Sequence, residues 1–287
     1  MTPPAFEAFA CIDWSGAAGA RLKGMAVAEC VAGDAAPVLV SPPGASWSRA
    51  DILAWLLAQR ERPVLIGLDL SPTLPFADEG AYLPGTPASP PDAKTLWAYV
   101  EAHSGDDPHH ASTRFVAAHA DHFRVGTETG RLFRRAGNGR LRRTEEAARA
   151  LGLRPTSAFN LVGAAQVGRS SLTGMRILHA LGGRIPFWPF DPMPAAGALL
   201  VEVYTSIAAR AAGLLGGTKL RSIERLNEAL AALASKPIAG QGAIDDHKSD
   251  ALLTAAWARH VARDPALWQP PGLPPVRHTE GWTFGVP

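Results

Sequence analysis

The chain has 287 residues, 47% hydrophobic and 19% charged, with a formal net charge of +2, enough for one large globular domain or two small ones. No apolar run approaches the roughly 18 residues that cross a membrane, and the opening MTPPAFEAFA lacks the basic and apolar regions of an export signal. A cytoplasmic protein with no membrane partner is therefore expected. The two cysteines, Cys11 and Cys30, are too few for a disulfide framework or a cysteine-based zinc site, and both fall in stretches expected to bury them.

In chain order, residues 8–17 read as a strand carrying Asp13 before a small-residue turn. LKGMAVAECVAG and APVLVSPP read as the second and third strands. Ser48 is placed to cap a helix over RADILAWLLAQRE, whose Ile52, Leu53, Leu56 and Leu57 recur at helical spacing. PVLIGLDLSP follows as a continuous apolar run, the pattern of a strand buried on both faces, and it too ends in an acid, Asp69.

From about 73 to 196 the pattern loosens into proline-rich and mixed helical stretches, read as an insertion. Within it, Arg131, Arg134, Arg135, Arg140, Arg142 and Arg143 fall in thirteen residues. RLFRRAGNGRLRR reads as a basic hairpin, TEEAARALG as a short helix, and SAFNLVGAAQVG and SSLTGMRILHALGG as two further helical pieces. Regular structure returns at GALLVEVYTS, a strand holding Glu202, where an acid is costly unless paired or used. SIAARAAGLLGG, SIERLNEALAALASKP and DDHKSDALLTAAWARHVARD read as helices, followed by a segment, 264–287, rich in proline and tryptophan. With no internal repeat or low-complexity linker, one elaborated domain over 1–287 is expected, with core segments about 8–72 and 197–262.

Four acids, Asp13, Asp69, Glu202 and Asp250, fall at comparable places on these elements. Functional groups gather at the carboxyl ends of neighbouring strands in α/β sheets. Carboxylates gathered there repel unless a cation holds them, and oxygen-rich sites suit Mg²⁺ or Mn²⁺. Two such ions about 4 Å apart can activate water and stabilise the leaving oxygen of a phosphodiester. On the last helix Asp246 and Asp250 are spaced i, i+4 and His247 and Asp250 i, i+3, so either pair can face one cation; a capping role for Asp245 or Asp246 competes with this.

The motifs CIDWSG, IGLDLSP and HKSDALLTAAW, in this order, resemble the ribonuclease H fold. The HxxDA opening of the last helix is similar to that of RuvC-like resolvases. GLDLSP paired with VEVYTS and a late DDHKSDALLTAAWA more closely resembles a bacterial family of unknown function predicted to be RNase-H-like nucleases. The resemblance covers 8–72 and 197–262. It implies an α/β fold with a mixed five-stranded sheet, three antiparallel strands plus parallel ones, flanked by helices and carrying a large, mostly helical insertion. It further implies a two-metal nuclease with Asp13, Asp69 and Asp250 as metal-binding acids and Asp246 or His247 as a fourth group. Glu202 belongs to the family's strand motif and is open between ligand, supporting partner and substrate contact. The sequence EVYTS departs from the family, which tends to carry histidine or proline after the aromatic residue, and this leaves Thr205 without an assigned role.

On a nuclease reading, Arg134, Arg135, Arg142 and Arg143 are candidate phosphate contacts, with Lys248 and Arg169 as further ones. Trp14 is placed to stack on a base or to pack in the core, and Ser15 and Gly16 to leave room for metal and phosphate. His109 and His110, beside Asp106 and Asp107, have the composition of a metal tract within an exposed loop. An actin-like metabolite kinase and an inactive RNase H-fold binding module are the alternatives.

Overall fold

The computed structural model describes residues 5–133, 139–163 and 166–287. Its elements are β1 (Ala8–Asp13), β2 (Ala26–Val31), β3 (Val38–Leu39), α1 (Arg49–Gln59), β4 (Val64–Asp69), α2 (Ala93–Ser104), α3 (Thr113–Ala118), β5 (Arg124–Val125), β6 (Glu128–Thr129), α4 (Arg143–Ala150), α5 (Val167–Leu181), β7 (Phe187–Trp188), β8 (Leu199–Glu202), α6 (Thr205–Ala211), α7 (Ile223–Ala232) and α8 (Asp246–Val261).

Six strands form the main sheet in the order β3-β2-β1-β4-β8-β7. β1, β2 and β3 are antiparallel, whereas β1, β4, β8 and β7 run parallel. The sheet is mixed as expected, but it has six strands where five were expected. The extra one, β7, comes from the stretch read as insertion and is only two residues long, too short to leave a periodic signal.

Burial follows the alternation of side chains across a strand. One face carries Phe9 and Cys11 of β1 with Leu199 and Val201 of β8, and joins the core built with α8, α7 and the C-terminal segment. The other carries Ala10 and Ile12 of β1 with Leu68 of β4, and joins the core built with α1, α2 and α5. Both faces are covered, which is why VLIGL in β4 is buried without a break. α8 packs directly across β1 and β2.

Local chemistry sets the element ends. Ser48 caps α1 by accepting from the Asp51 amide, while the Asp51 carboxylate accepts from the Ser48 amide, a capping box that anchors the helix start. The expected helices at SAFNLVGAAQVG and SSLTGMRILHALGG reduce to a single one, α5, ending at left-handed Gly182; residues 157–163 are irregular. The C-terminal segment is no loose tail, since Trp282, Phe284 and Val286 are all buried in the α8-side core. Among the described residues no helix is long and apolar enough to cross a membrane. Cys11 and Cys30 are free, buried thiols.

Candidate metal centre

The parallel register of β1 and β4 sets Asp13 directly beside Asp69, both at the carboxyl ends of their strands. By alternation from Cys11, both belong to the face that α8 covers. α8 brings Asp250 towards them. Burial and mutual repulsion act together on Asp13 and Asp69. Burial, and then the charge of Asp250, push Asp13 up to about 6 against the opposing hydrogen bond from His247. Burial and the charges of Asp13 and Asp250 lift Asp69 well above the usual carboxylate range, although the Thr205 amide at the start of α6 donates to it. The Cys11 thiol beneath them is raised by burial and by the same three acids, so it is an inert neighbour.

Two cations border the cluster. Lys219 donates to Asp250 at 2.9 Å and lies 3.9 Å from Asp246. Burial alone would lower its pKa, but the hydrogen bond to Asp250 and the surrounding acids raise it. His247 Nδ1 lies 3.1 Å from Asp13 Oδ2, and that contact lifts the imidazole to about 9. Its ring packs over Gly24, where a Cβ would come within 3.0 Å of Nε2 and displace the ring by a few tenths of an ångström.

Asp245 is the N-cap of α8 and accepts from the His247 amide. The capping reading of this segment holds for Asp245. Capping does not exhaust its chemistry, because Asp245, Asp246 and His247 each offer a ligand atom within 4.8 Å of the others, a cluster that could hold a metal ion. At Asp246, burial is outweighed by Lys219 and the neighbouring cations, which lowers its pKa, and Arg221 lies 3.6 Å away.

Glu202 does not join this group. It pairs in register with Leu68, one residue before Asp69, and therefore belongs to the opposite face. There its carboxylate is held by Arg142 at 2.8 and 2.5 Å and by the Thr283 hydroxyl at 2.8 Å. Arg142, expected to contact phosphate from a surface hairpin, is 1% exposed. All five of its N–H groups are used, on Glu145, Glu202 twice, the Glu280 carbonyl and Ser71. Glu202 and Arg142 are thus structural partners, and neither is available to substrate.

The other expected contacts divide. Trp14 is buried and donates to Thr173 Oγ1 at 3.1 Å, a packing role that leaves no face for a base. Arg140 is likewise buried against Asp78. Arg143 is exposed and pairs with Glu146 at 2.9 Å, and Lys248 is exposed. Arg134, Arg135 and the proposed hairpin tip lie outside the described residues. Ser15 is partly exposed on the loop after Asp13, and Gly16 is needed there because a Cβ would meet the α5 backbone at Ser170 within 2.4 Å. Sequence reasoning missed Lys219. Its only signal was a lysine after the turn-forming LLGGT, with nothing to indicate that this turn returns to α8.

Beyond Asp250 and Lys219, a cavity of about 380 Å³ runs along Thr205, Ser206 and residues 214–218. The chain matches no family model, no curated protein and no solved structure.

Proposed function

We propose that the chain is a divalent-metal-dependent phosphodiesterase of RNase H-like fold acting on nucleic acid, with Mg²⁺ or Mn²⁺ as its cation. One observation carries this reading: Asp13 and Asp69 stand side by side at the ends of adjacent parallel strands, facing Asp250, with less positive charge around them than three carboxylates require. Such a set is costly to keep ionised, and the cost is removed when a hard cation binds. The donor set fits that cation, being carboxylate oxygen with a histidine at its edge and no thiolate free to compete.

Asp13, Asp69 and Asp250 would hold the metal, with Asp246 and His247 at its flank. Bound there, Mg²⁺ or Mn²⁺ supplies a nucleophilic water and charge stabilisation for the phosphorane-like transition state. The chain's own residues do the rest. The Thr205 amide orients Asp69. Gly24 and Asp13 hold the His247 ring with a proton shared at Nδ1. Lys219 neutralises Asp250 and lines the adjoining cavity, where it can meet a phosphate oxygen.

Labelled single- and double-stranded DNA and RNA, with bis(p-nitrophenyl) phosphate as a minimal diester, test the reading. Cleavage is expected with Mn²⁺ or Mg²⁺, suppressed by chelation, and lost in Asp13→Asn. Full activity in Asp13→Asn, or activity indifferent to chelator, would overturn it.

A further inference from the structure

A second cavity, of about 450 Å³, lies away from the carboxylates at the start of α1. Arg21, Arg49, Arg176, His109 and His110 line it, and Asp107 is the one acid among the described residues of its wall. Most of these charges are already answered. Arg21 pairs with Asp51, Arg176 with Glu101 at 2.6 Å, and Asp107 lies 3.7 Å from Arg114.

Arg49 is different. It is 2% exposed and donates to the carbonyls of Ser15, Ala17 and His109. Among the described residues it has no carboxylate partner and its Nε has no acceptor. Burial and the nearby Arg176 hold its pKa down to about 10, as expected for a cation lacking a counter-charge. A buried guanidinium without an anion is expensive.

Two further features favour an anion. Ser48, Arg49 and Ala50, the first turn of α1, form part of the wall. The capping box employs the Ser48 and Asp51 amides, so those of Arg49 and Ala50 remain at the positive end of an eleven-residue helix. Opposite them, His109 and His110 both adopt left-handed backbone, φ 57° and 56°. Two adjacent non-glycine residues in that region carry strain of the kind found at binding sites.

We infer that this cavity binds the phosphate group of a phosphate monoester, held by the first turn of α1 and Arg21 and neutralising Arg49. A tetrahedral dianion matches a helix N-terminus beside guanidinium groups. The volume exceeds that of a bare ion and lies in the range of small organic ligands. The monoester is either a free mononucleotide or the phosphorylated end of a nucleic acid. This inference does not depend on the metal chemistry of the carboxylate cluster. It does connect to that region, because Arg49 holds the carbonyls of Ser15 and Ala17 on the loop that leaves Asp13.

Calorimetry on the full, metal-free chain with inorganic phosphate, adenosine 5′-monophosphate, adenosine, and an oligonucleotide with or without a 5′-phosphate tests the site. Phosphate-bearing probes are expected to bind and adenosine and the unphosphorylated oligonucleotide not to. Arg21→Ala should weaken binding about tenfold, the effect of one charge-assisted contact, while Asp69→Asn leaves it unchanged. Binding of the mononucleotide identifies the free ligand, and binding of the phosphorylated oligonucleotide alone identifies the nucleic-acid end. The imidazole resonances of His109 and His110 should move on titration with phosphate. No binding by any phosphate probe, equal binding of the unphosphorylated ones, or unchanged affinity in Arg21→Ala with static imidazole resonances overturns the inference.

Discussion

The two faces at the end of the central strands each gather buried or half-buried carboxylates, and they treat them in opposite ways. On one face Glu145 and Glu202 surround Arg142, whose five N–H groups are all engaged, in a pocket sealed by the C-terminal segment. On the other, Asp13, Asp69 and Asp250 share a half-buried lysine and a histidine, and Asp250 and that lysine border a cavity. A saturated, closed ion network specifies structure. An under-compensated, open one carries an electrostatic cost that a bound cation would relieve, which is why the open group is the one proposed for chemistry.

The largest effect should come from breaking the saturated network. Arg142→Ala leaves Glu145 and Glu202 buried without their cation, and about 3–5 kcal/mol of stability should be lost in urea unfolding. A loss no larger than that of a surface substitution would show that the network is dispensable.

Breaking the open cluster should do the reverse. Because the folded-state pKa of Asp69 is raised, its ionisation opposes folding, and the penalty grows as pH rises above the usual carboxylate range. Asp69→Asn should therefore melt higher than the wild type at neutral pH without divalent metal, while losing metal-dependent activity. A lower melting temperature would contradict the account of repulsion.

A third buried polar group sharpens the contrast. His122 is 4% exposed, stacks on Phe159 and has no partner for Nδ1 among the described residues. Burial and the nearby His119 lower its pKa from 6.5 to about 4. It is therefore neutral in the fold, and its contribution is complete above the unfolded value. Stability should fall as pH drops from about 6.5 towards about 4, because the unfolded chain takes up the proton first. His122→Phe should flatten that part of the profile. The smallest effect belongs to Arg143→Ala, next to Arg142 in sequence. Its pair with Glu146 is exposed, and its removal should change stability by less than about 0.5 kcal/mol.

That neighbouring pair also marks the limit of what was legible in the sequence. Strands β1, β4 and β8, helices α1, α7 and α8, and the strand-end positions of Asp13 and Asp69 follow from continuous apolar runs, helical spacing and caps, which are local signals. Whether an arginine in a basic run faces water or a buried carboxylate is decided by distant chain. Arg142 meets Glu202, 60 residues on, and the carbonyl of Glu280, 138 residues on. Glu202 was recognisable as an acid within a strand, but its face depends on register. Pairing with Leu68 instead of Asp69 turns it away from the cluster. β7 was invisible for its brevity, and Lys219 because a loop lysine carries no pattern.

The central claim is that Asp13, Asp69 and Asp250 form a cation site. Anomalous scattering from crystals soaked in Mn²⁺ tests it most directly. The account predicts a peak bounded by these three carboxylates, absent in Asp69→Asn. A peak confined to Asp245, Asp246 and His247, or no peak in that cleft, would contradict it.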